Sequence, residues 1–338
     1  MTLTSSHAQS LPLSDLRAVA ARLVTGGRGI LAADESIRTM NERLLTVGVD
    51  ATLEHRRDYR QLLLTAAGLS TCVSGVIWCE ETFGQRLTDG REFPIAAREL
   101  GVLPGIKVDT GTVALPGTTA LVTQGLDGLD ERLADFAAAG AAFAKWRAVF
   151  DITTLTPYVA RANAHALARY AALCQRHGIV PIVEPELLAD GPHDLIACAA
   201  ASRQVMGAVF EELAQAEVDL SGVVLKPSFV TPGLRTRSAT ARTVATVTCD
   251  VLRETVPPDV AGIAFLSGGH STADACDYLS ALNRRGRLPW PTTFSFGRAL
   301  VSEALETWAG SPAHVSQAQH ALIANCQRAA TATLSPRG

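Results

Sequence analysis

The sequence is poor in charge and lacks the cysteine and histidine patterns of disulfide or zinc proteins. Charged residues make up 19% of the 338 residues, below the ~25% typical of soluble proteins. The seven cysteines are odd in number and form no Cys-x-x-Cys pair, which argues against a disulfide framework and for a reducing compartment. The eight histidines are dispersed, so we expect no protein-built zinc site.

Targeting signals and membrane-spanning runs are also missing. The N-terminal segment has no basic start followed by an apolar core, which argues against a secretory signal. No uncharged apolar run approaches the ~18 residues of a membrane span. A net charge of −3 and a pI near 6.2 favour neither nucleic acid nor an anionic membrane as partner. We therefore expect a cytoplasmic protein whose main partner is neither nucleic acid nor a membrane.

What the chain does contain is a recurring alternation of apolar runs and helical segments. Hydrophobic residues make up 47% of the sequence, which suits a parallel sheet covered by helices. Eight runs are interpreted as strands: Gly29–Asp34, Val73–Glu80, Leu103–Asp109, Phe143–Val149, Ile179–Glu186, Gly222–Lys226, Gly262–Ser267 and Thr292–Phe296. Helical spacing occurs between them: Leu129–Ala139, Ala160–Gln175, Ala200–Ala214, Ala239–Arg253 and Thr272–Leu282.

This alternation predicts an α/β fold, a (β/α)8 TIM barrel. A doubly wound open sheet is the rival, but no Gly-x-Gly-x-x-Gly follows the first predicted strand. We expect a single domain over residues 1–338. An N-terminal helix is predicted at about residues 11–25 and a short C-terminal tail at about residues 310–338.

Most predicted strands carry charged or small polar residues near their C-terminal ends, where TIM barrels have their active sites. Residues two apart on a strand share a face, and three consecutive strands carry charged pairs at this spacing: Lys107 with Asp109, Lys145 with Arg147, and Glu184 with Glu186. Salt bridges within the barrel wall would explain any one pair. The three pairs together, with Asp34 and Lys226, favour a functional site.

Lys226 is the candidate nucleophile. It follows small and apolar residues in GVVLKPSFV, and desolvation and nearby cations both lower the pKa of a lysine and free its lone pair for attack on a carbonyl. The alternative is a structural lysine paired with Glu184 or Asp34.

Two regions are predicted to bind anions. Ser267-Gly268-Gly269 and Ser295-Phe296-Gly297-Arg298 follow the seventh and eighth strands, where this fold commonly binds phosphate. Turn formation alone is the alternative. A second basic group comprises Lys107, Arg147 and, at the start of a helix, Ser36, Thr39 and Arg43. Two anion sites around an amine predict a substrate with a phosphate at each end, whereas Arg38 is interpreted as a solvated surface charge.

The motifs together resemble those of class I fructose-1,6-bisphosphate aldolases, in family order from about Leu16 to Trp308. The segments that carry the resemblance are GILAADES, YRQLLLTA, GIKVD, TQGLDGL, FAKWR, ARYAALCQ, GIVPIVEPE, LKPSFVTPG, TVPP, FLSGG and FSFGRAL. The resemblance implies an α/β barrel, usually a homotetramer, that uses no metal and no other cofactor. Its reaction would be the glycolytic cleavage of fructose 1,6-bisphosphate to dihydroxyacetone phosphate and glyceraldehyde 3-phosphate.

The resemblance also implies residue roles. Lys226 is similar to the Schiff-base lysine, and Glu184 to the general acid and base. Asp34 would orient or deprotonate the substrate hydroxyl, Lys145 would stabilise charge near the iminium, and Glu186 would tune its neighbours. The phosphate of the ketone half would be held by Ser267, Gly268, Gly269, Ser295, Gly297 and Arg298. The other phosphate would be held by Ser36, Thr39, Arg43, Lys107 and Arg147.

Several departures from the family pattern bear on substrate choice. Ile37-Arg38-Thr39 replaces the Thr-Gly-Ser of animal enzymes, His270 stands where glutamine is common, and Ser228 where asparagine is frequent. The last tyrosine is Tyr278, so we expect water or another residue to replace the C-terminal tyrosine of animal enzymes. The sequence also allows fructose 1-phosphate or sedoheptulose 1,7-bisphosphate as the substrate. It leaves open a scaffold protein without catalysis and a metal-dependent aldolase.

Overall fold

Eight parallel strands form a closed barrel in the computed structural model, which describes residues 13–285 and 288–334. The strands in chain order are β1 (Gly29–Ala33), β2 (Val73–Trp78), β3 (Leu103–Lys107), β4 (Thr112–Ala114), β5 (Leu121–Thr123), β6 (Phe143–Phe150), β7 (Val180–Leu187), β8 (Val224–Leu225), β9 (Gly262–Phe265) and β10 (Thr292–Phe296). The barrel runs in the order β1-β10-β9-β8-β7-β6-β3-β2, while β4 and β5 form a separate antiparallel hairpin.

Helices surround the barrel. They are α1 (Leu13–Val24), α2 (Ile37–Thr46), α3 (Leu53–Leu64), α4 (Leu69–Cys72), α5 (Glu80–Phe83), α6 (Phe93–Glu99), α7 (Leu129–Ala138), α8 (Pro157–Arg176), α9 (Leu195–Gln215), α10 (Ala241–Thr255), α11 (Thr272–Asn283), α12 (Arg298–Trp308) and α13 (Val315–Ala332). Within the described residues, none of these helices combines the length and the apolar character needed to cross a membrane.

The predicted fold class is confirmed: all eight predicted strands occur in the barrel, and the five predicted helices are α7 to α11. Five of the predicted strands ran too far at their C-terminal ends; Asp34 and Lys226, for example, lie just beyond the last strand residues. β6 and β7 instead continue one residue past their predicted ends, and β10 ends as predicted. The hairpin β4–β5 was not predicted. Each of its strands has three residues, which is too short for a clear alternation.

The chain ends differ in part from the prediction. The N-terminal helix is α1, whereas residues 11 and 12 of the predicted helix lie outside the described residues. The predicted C-terminal tail instead contains α13, an 18-residue helix that buries Leu322 and Cys326. Its apolar side chains pack on the outer face of the barrel, and residues 335–338 lie outside the described part.

One end of the barrel is filled by apolar side chains. Phe143, fully buried, belongs to a cluster with Ile30, Ile182 and Val224 from the inward faces of four strands. Helix α1 lies across this end and adds Leu16, Ala20, Leu23 and Val24 to the same cluster. The strands begin in this apolar layer and carry their charged residues toward their C-terminal ends. Polar groups therefore lie at the opposite end of the barrel.

The alternation along β6 and β7 shows how the charged layer forms. Phe143, Lys145 and Arg147 share the inward face of β6, and Arg147 stands beside Glu184 on β7. Lys107 on β3 stands beside Lys145 on the other side. Because side chains alternate between faces, the two-residue spacing read from the sequence brings these charges into one space.

A substitution at Gly105 tests how tightly this end is packed. A Cβ atom at Gly105 would lie 2.2 Å from ring atoms of Phe143, so Gly105→Ala should lower the free energy of unfolding by about 1 to 3 kcal/mol. Gly207→Ala, on α9 with no heavy atom within 4 Å of the added carbon, should raise it by about 0.5 to 1 kcal/mol.

Urea unfolding of both variants measures the difference. Phe143→Leu in the Gly105→Ala background should recover part of the loss, because the smaller side chain vacates the space. Equal stabilities of the two alanine variants would contradict tight packing around Phe143.

Candidate active site

A cavity of about 380 Å³ lies at the C-terminal ends of the barrel strands. Every residue that the sequence predicted to act on or bind the substrate lines this cavity. The chain has only three lysines, and all three are among them: Lys107, Lys145 and Lys226. Against a background rich in arginine, this scarcity is a sequence signal that would have identified the site without any motif.

Lys145 is the centre of the cavity's charge network. Its ammonium lies 2.7 Å from Asp34 Oδ2, 3.5 Å from Asp109 Oδ2 and 3.5 Å from Glu184 Oε2. The side chain is only 3% exposed. Burial opposes the charge on Lys145, but the three carboxylates outweigh that cost and raise its pKa above the usual range. Lys145 is therefore a fixed cation.

The same network holds Asp34 as a carboxylate. Burial raises its pKa, but Lys145 and Lys226 act in the opposite direction and the net pKa lies well below its usual range. The cations prevail, so in the free protein Asp34 is a charged acceptor.

Lys226 has a different environment. It is buried, it directly follows β8, and its Nζ lies 3.1 Å from Glu184 Oε1. The pairing with Glu184 that the sequence also allowed is thus present. The carboxylate of Glu184 therefore contacts both Lys226 and Lys145.

Asp109 is the main residue of the network to which the sequence assigned no role, although its pairing with Lys107 counted among the charges that favoured a functional site. It is 7% exposed, and its carboxylate lies 2.8 Å from Lys107 Nζ and accepts a hydrogen bond from the backbone N–H of Arg147. The two-residue spacing from Lys107 was visible in the sequence. Which lysines it would meet depended on the register between β3 and β6, which the sequence does not specify.

The cations near β3 and β6 are compensated by carboxylates. Lys107 pairs with Asp109, and the guanidinium of Arg147 donates to Glu186. Burial opposes the charge on Arg147, and Glu186 outweighs it and raises the pKa of Arg147. An anion bound here would compete with, or add to, existing ion pairs.

The loops after β9 and β10 form a second polar region with a different charge balance. Gly268 and Gly269 have positive φ angles of 57° and 86°, a backbone that favours glycine. Ser295 Oγ is buried without a hydrogen-bond partner among the described residues. Arg298 begins α12, and within residues 13–285 and 288–334 it has no ion pair. This region combines a helix N-terminus with an uncompensated guanidinium, which suits an anion.

Ser36, Thr39 and Arg43 line the same cavity as both polar regions. Arg43 donates a hydrogen bond to Ser302 on α12 and also pairs with Glu35. Ser36 caps α2 and accepts a hydrogen bond from the N–H of Thr39, so the missing glycine does not disturb the start of the helix.

Arg38 is a surface charge, as the sequence predicted. It is 89% exposed and pairs with Glu42 one turn away on α2. Glu35, which was not predicted to take part, is held by Arg43 and by Arg60, a guanidinium that is 1% exposed. These contacts fix the segment that follows Asp34.

Comparisons with known proteins agree on one family. The chain matches the family described as fructose-bisphosphate aldolase class-I over residues 15–336. It is 46% identical to fructose-bisphosphate aldolase 6, cytosolic, of Arabidopsis thaliana over 95% of this chain and 90% of the relative. It is 46% identical to fructose-bisphosphate aldolase C-A of Danio rerio over 96% of this chain and 90% of the relative.

A solved structure is similar along nearly the whole length. It is the fructose-bisphosphate aldolase of Plasmodium falciparum in complex with TRAP and a small-molecule inhibitor, with a TM-score of 0.93, 41% identity and 96% of each chain covered.

Removing the central cation tests the network. Lys145→Met would leave three carboxylates around an uncharged side chain, and breaking a buried ion pair in this way should lower the free energy of unfolding by about 3 to 5 kcal/mol. Asp34→Asn added to Lys145→Met should recover part of the loss, because one unpaired charge is removed.

Urea unfolding at pH 7 gives the three values. Lys107→Met is the matched control, since this lysine is 19% exposed and pairs with one carboxylate. If Lys107→Met and Lys145→Met cost the same, Lys145 is not the centre of the network.

Proposed function

The chain belongs to the class I fructose-bisphosphate aldolases, glycolytic lyases that work through a Schiff base, and on that premise we propose that Lys226 is the amine that forms it. The substrate would be fructose 1,6-bisphosphate. The observation that carries the assignment is the contrast between the two buried lysines: Lys145 faces three carboxylates, whereas Lys226 contacts one. An amine must lose its proton to attack a carbonyl, and Lys145 is held as a cation.

Glu184 is proposed to move the protons of the first steps. Its Oε1 is 3.1 Å from Lys226 Nζ, within reach to take a proton from the amine. The neutral nitrogen attacks C2 of the ketose to give a carbinolamine. Glu184 then returns the proton to the departing hydroxyl, and water leaves as the iminium forms. Lys145 keeps a positive charge next to this carboxylate throughout.

Asp34 is proposed to act at the bond that breaks. The iminium withdraws electrons from C3, so the C3–C4 bond cleaves when the C4 hydroxyl loses its proton. Asp34 is ionised, lines the cavity and shares the ammonium of Lys145 with Glu184. The pair of electrons from the C3–C4 bond passes to the iminium, the aldehyde is released, and the enamine is later protonated at C3 and hydrolysed.

Glu186 would orient Arg147.

We propose that the two phosphates bind at the two polar regions. The ketone-half phosphate would lie at Ser267, Gly268, Gly269, Ser295, Gly297 and Arg298. Lys107 and Arg147, with Ser36, Thr39 and Arg43, would bind the phosphate of the aldehyde half. The uncompensated charge of Arg298 supports the first assignment, and the two cations on neighbouring strands support the second.

A cytoplasmic location and a homotetramer complete the proposal. The relative in Arabidopsis thaliana is named cytosolic, and the resemblance of the motifs to tetrameric aldolases supports the oligomer. Sedimentation velocity at micromolar concentration would give the mass in solution.

Borohydride reduction tests the Schiff base. Reduction in the presence of dihydroxyacetone phosphate should fix one adduct per chain, on the peptide that contains Lys226, because the iminium is reduced to a stable amine. With only three lysines in the chain, mass spectrometry assigns the position directly. Lys226→Met should give no adduct and reduce kcat by at least about a thousandfold.

Two results would contradict the assignment: an adduct on Lys107 or Lys145 in the unchanged protein, or full activity of Lys226→Met. Activity that persists in EDTA separates this mechanism from that of a metal-dependent aldolase.

Arginine and lysine variants test the phosphate assignment. Arg298→Ala should raise KM for both fructose 1,6-bisphosphate and fructose 1-phosphate by about tenfold to a hundredfold, because both carry the ketone-half phosphate. Lys107→Ala should raise KM for the bisphosphate only. Equal effects of Lys107→Ala on KM for the two substrates would contradict the assignment. Measuring kcat/KM for sedoheptulose 1,7-bisphosphate in the same assay ranks it against the other two substrates.

A further inference from the structure

His270 lies directly after the Ser267–Gly269 loop. A Cβ atom added to Gly268 would lie 3.9 Å from His270 Cδ2, whereas one added to Gly269 would lie 3.7 Å from a guanidinium nitrogen of Arg298. The imidazole ring and the cation therefore both lie close to the loop. Arg298 lines the substrate cavity and His270 does not.

The imidazole ring of His270 is hydrogen-bonded to the segment that follows Lys226. Its Nε2 lies 3.3 Å from Thr231 Oγ1, and Thr231 is 3% exposed. The backbone N–H of His270 also donates to the carbonyl of Ser267 at 2.9 Å and closes the turn. The imidazole thus links the loop after β9 to the loop after β8.

Aromatic contacts fix the ring from its other side. His270 meets Tyr278 edge to face at 5.3 Å, and Tyr278 meets Phe229 in the same way at 5.6 Å. Phe229 is stacked on Phe265 at 4.3 Å. Phe265 precedes the Ser267–Gly269 loop and Phe229 follows Lys226, so this aromatic series spans the same two loops as the hydrogen bond.

The imidazole acts without a charge of its own. Burial lowers the pKa of His270 and outweighs Asp274, which raises it. A neutral ring has one donor and one acceptor nitrogen, which suits a hydroxyl partner such as Thr231. A small cavity beside the loop is lined by His270 together with His193, Cys198 and Ser228. If the imidazole ring were removed, the loop would have room to move into this cavity.

We propose that His270 is a positioning residue that holds the Ser267–Gly269 loop in its phosphate-binding conformation through Thr231. Two consecutive glycines with positive φ are free to leave that conformation, and fixing them in advance lowers the ordering cost of binding. The role rests on the proposed function, because the loop is the proposed site of the ketone-half phosphate.

The test compares His270→Ala with His270→Gln. His270→Ala should raise KM for fructose 1,6-bisphosphate and the inhibition constant of inorganic phosphate by about threefold to tenfold, the effect of one lost hydrogen bond, with kcat changed less than about twofold. His270→Gln keeps a donor and an acceptor and should restore both constants. His165→Ala, an exposed histidine on α8 that pairs with Glu212, is the matched control and should change neither.

Thr231→Val removes the partner hydroxyl at constant shape. It should raise the same two constants as His270→Ala, and the double variant should show little further increase, because both substitutions break one contact. Additive effects, an unchanged phosphate constant in His270→Ala, a parallel fall in kcat, or failure of His270→Gln to restore binding would each overturn the role.

Borohydride trapping separates this role from the catalytic proposal. At saturating dihydroxyacetone phosphate, His270→Ala should still give the adduct on Lys226 in full. Loss of trapping in the unchanged protein would overturn the Schiff-base assignment, whereas normal trapping with unchanged phosphate affinity in His270→Ala would overturn only the role of His270.

Discussion

The ion pairs around Lys145 constrain both the barrel and its chemistry. A buried ammonium is stable only beside carboxylates, and Lys145 takes them from three places: Asp34 after β1, Asp109 after β3 and Glu184 on β7. Those partners come together only if the strands close in the observed order and register. The network that fixes the charge of Asp34 therefore also requires the barrel to be assembled correctly before any chemistry is possible.

Much of the fold could be predicted because its signals are local. Apolar runs marked the eight strands, and the two-residue spacing placed Lys145 with Arg147, and Glu184 with Glu186, on single faces. What could not be predicted depended on contacts between distant segments. The contact of Asp109 with Lys145 depends on the register between β3 and β6, and the contact of Arg43 with Ser302 depends on where α12 packs. Helix α13 was missed because its burial exists only against the finished barrel.

The two polar regions of the cavity differ in how their cations are balanced. Around β3 and β6, Lys107 and Arg147 already have carboxylate partners, so an anion there meets a nearly neutral surface with strong local dipoles. Near β10, Arg298 has no ion pair within the described chain, and Ser295 Oγ is unpartnered. The cavity is therefore electrostatically uneven, with paired cations near β3 and β6 and a guanidinium without an ion pair near β10.

The distribution of lysine has a consequence for the exterior of the protein. The side chains of Lys107, Lys145 and Lys226 are 19%, 3% and 4% exposed, and the other basic residues of the chain are arginines and histidines. A reaction that releases an aldehyde surrounds the protein with an electrophile that condenses with primary amines. Apart from the chain's own α-amine, the outer surface offers no such amine, so carbonyl condensation is confined to the cavity and the exterior resists glycation by the product.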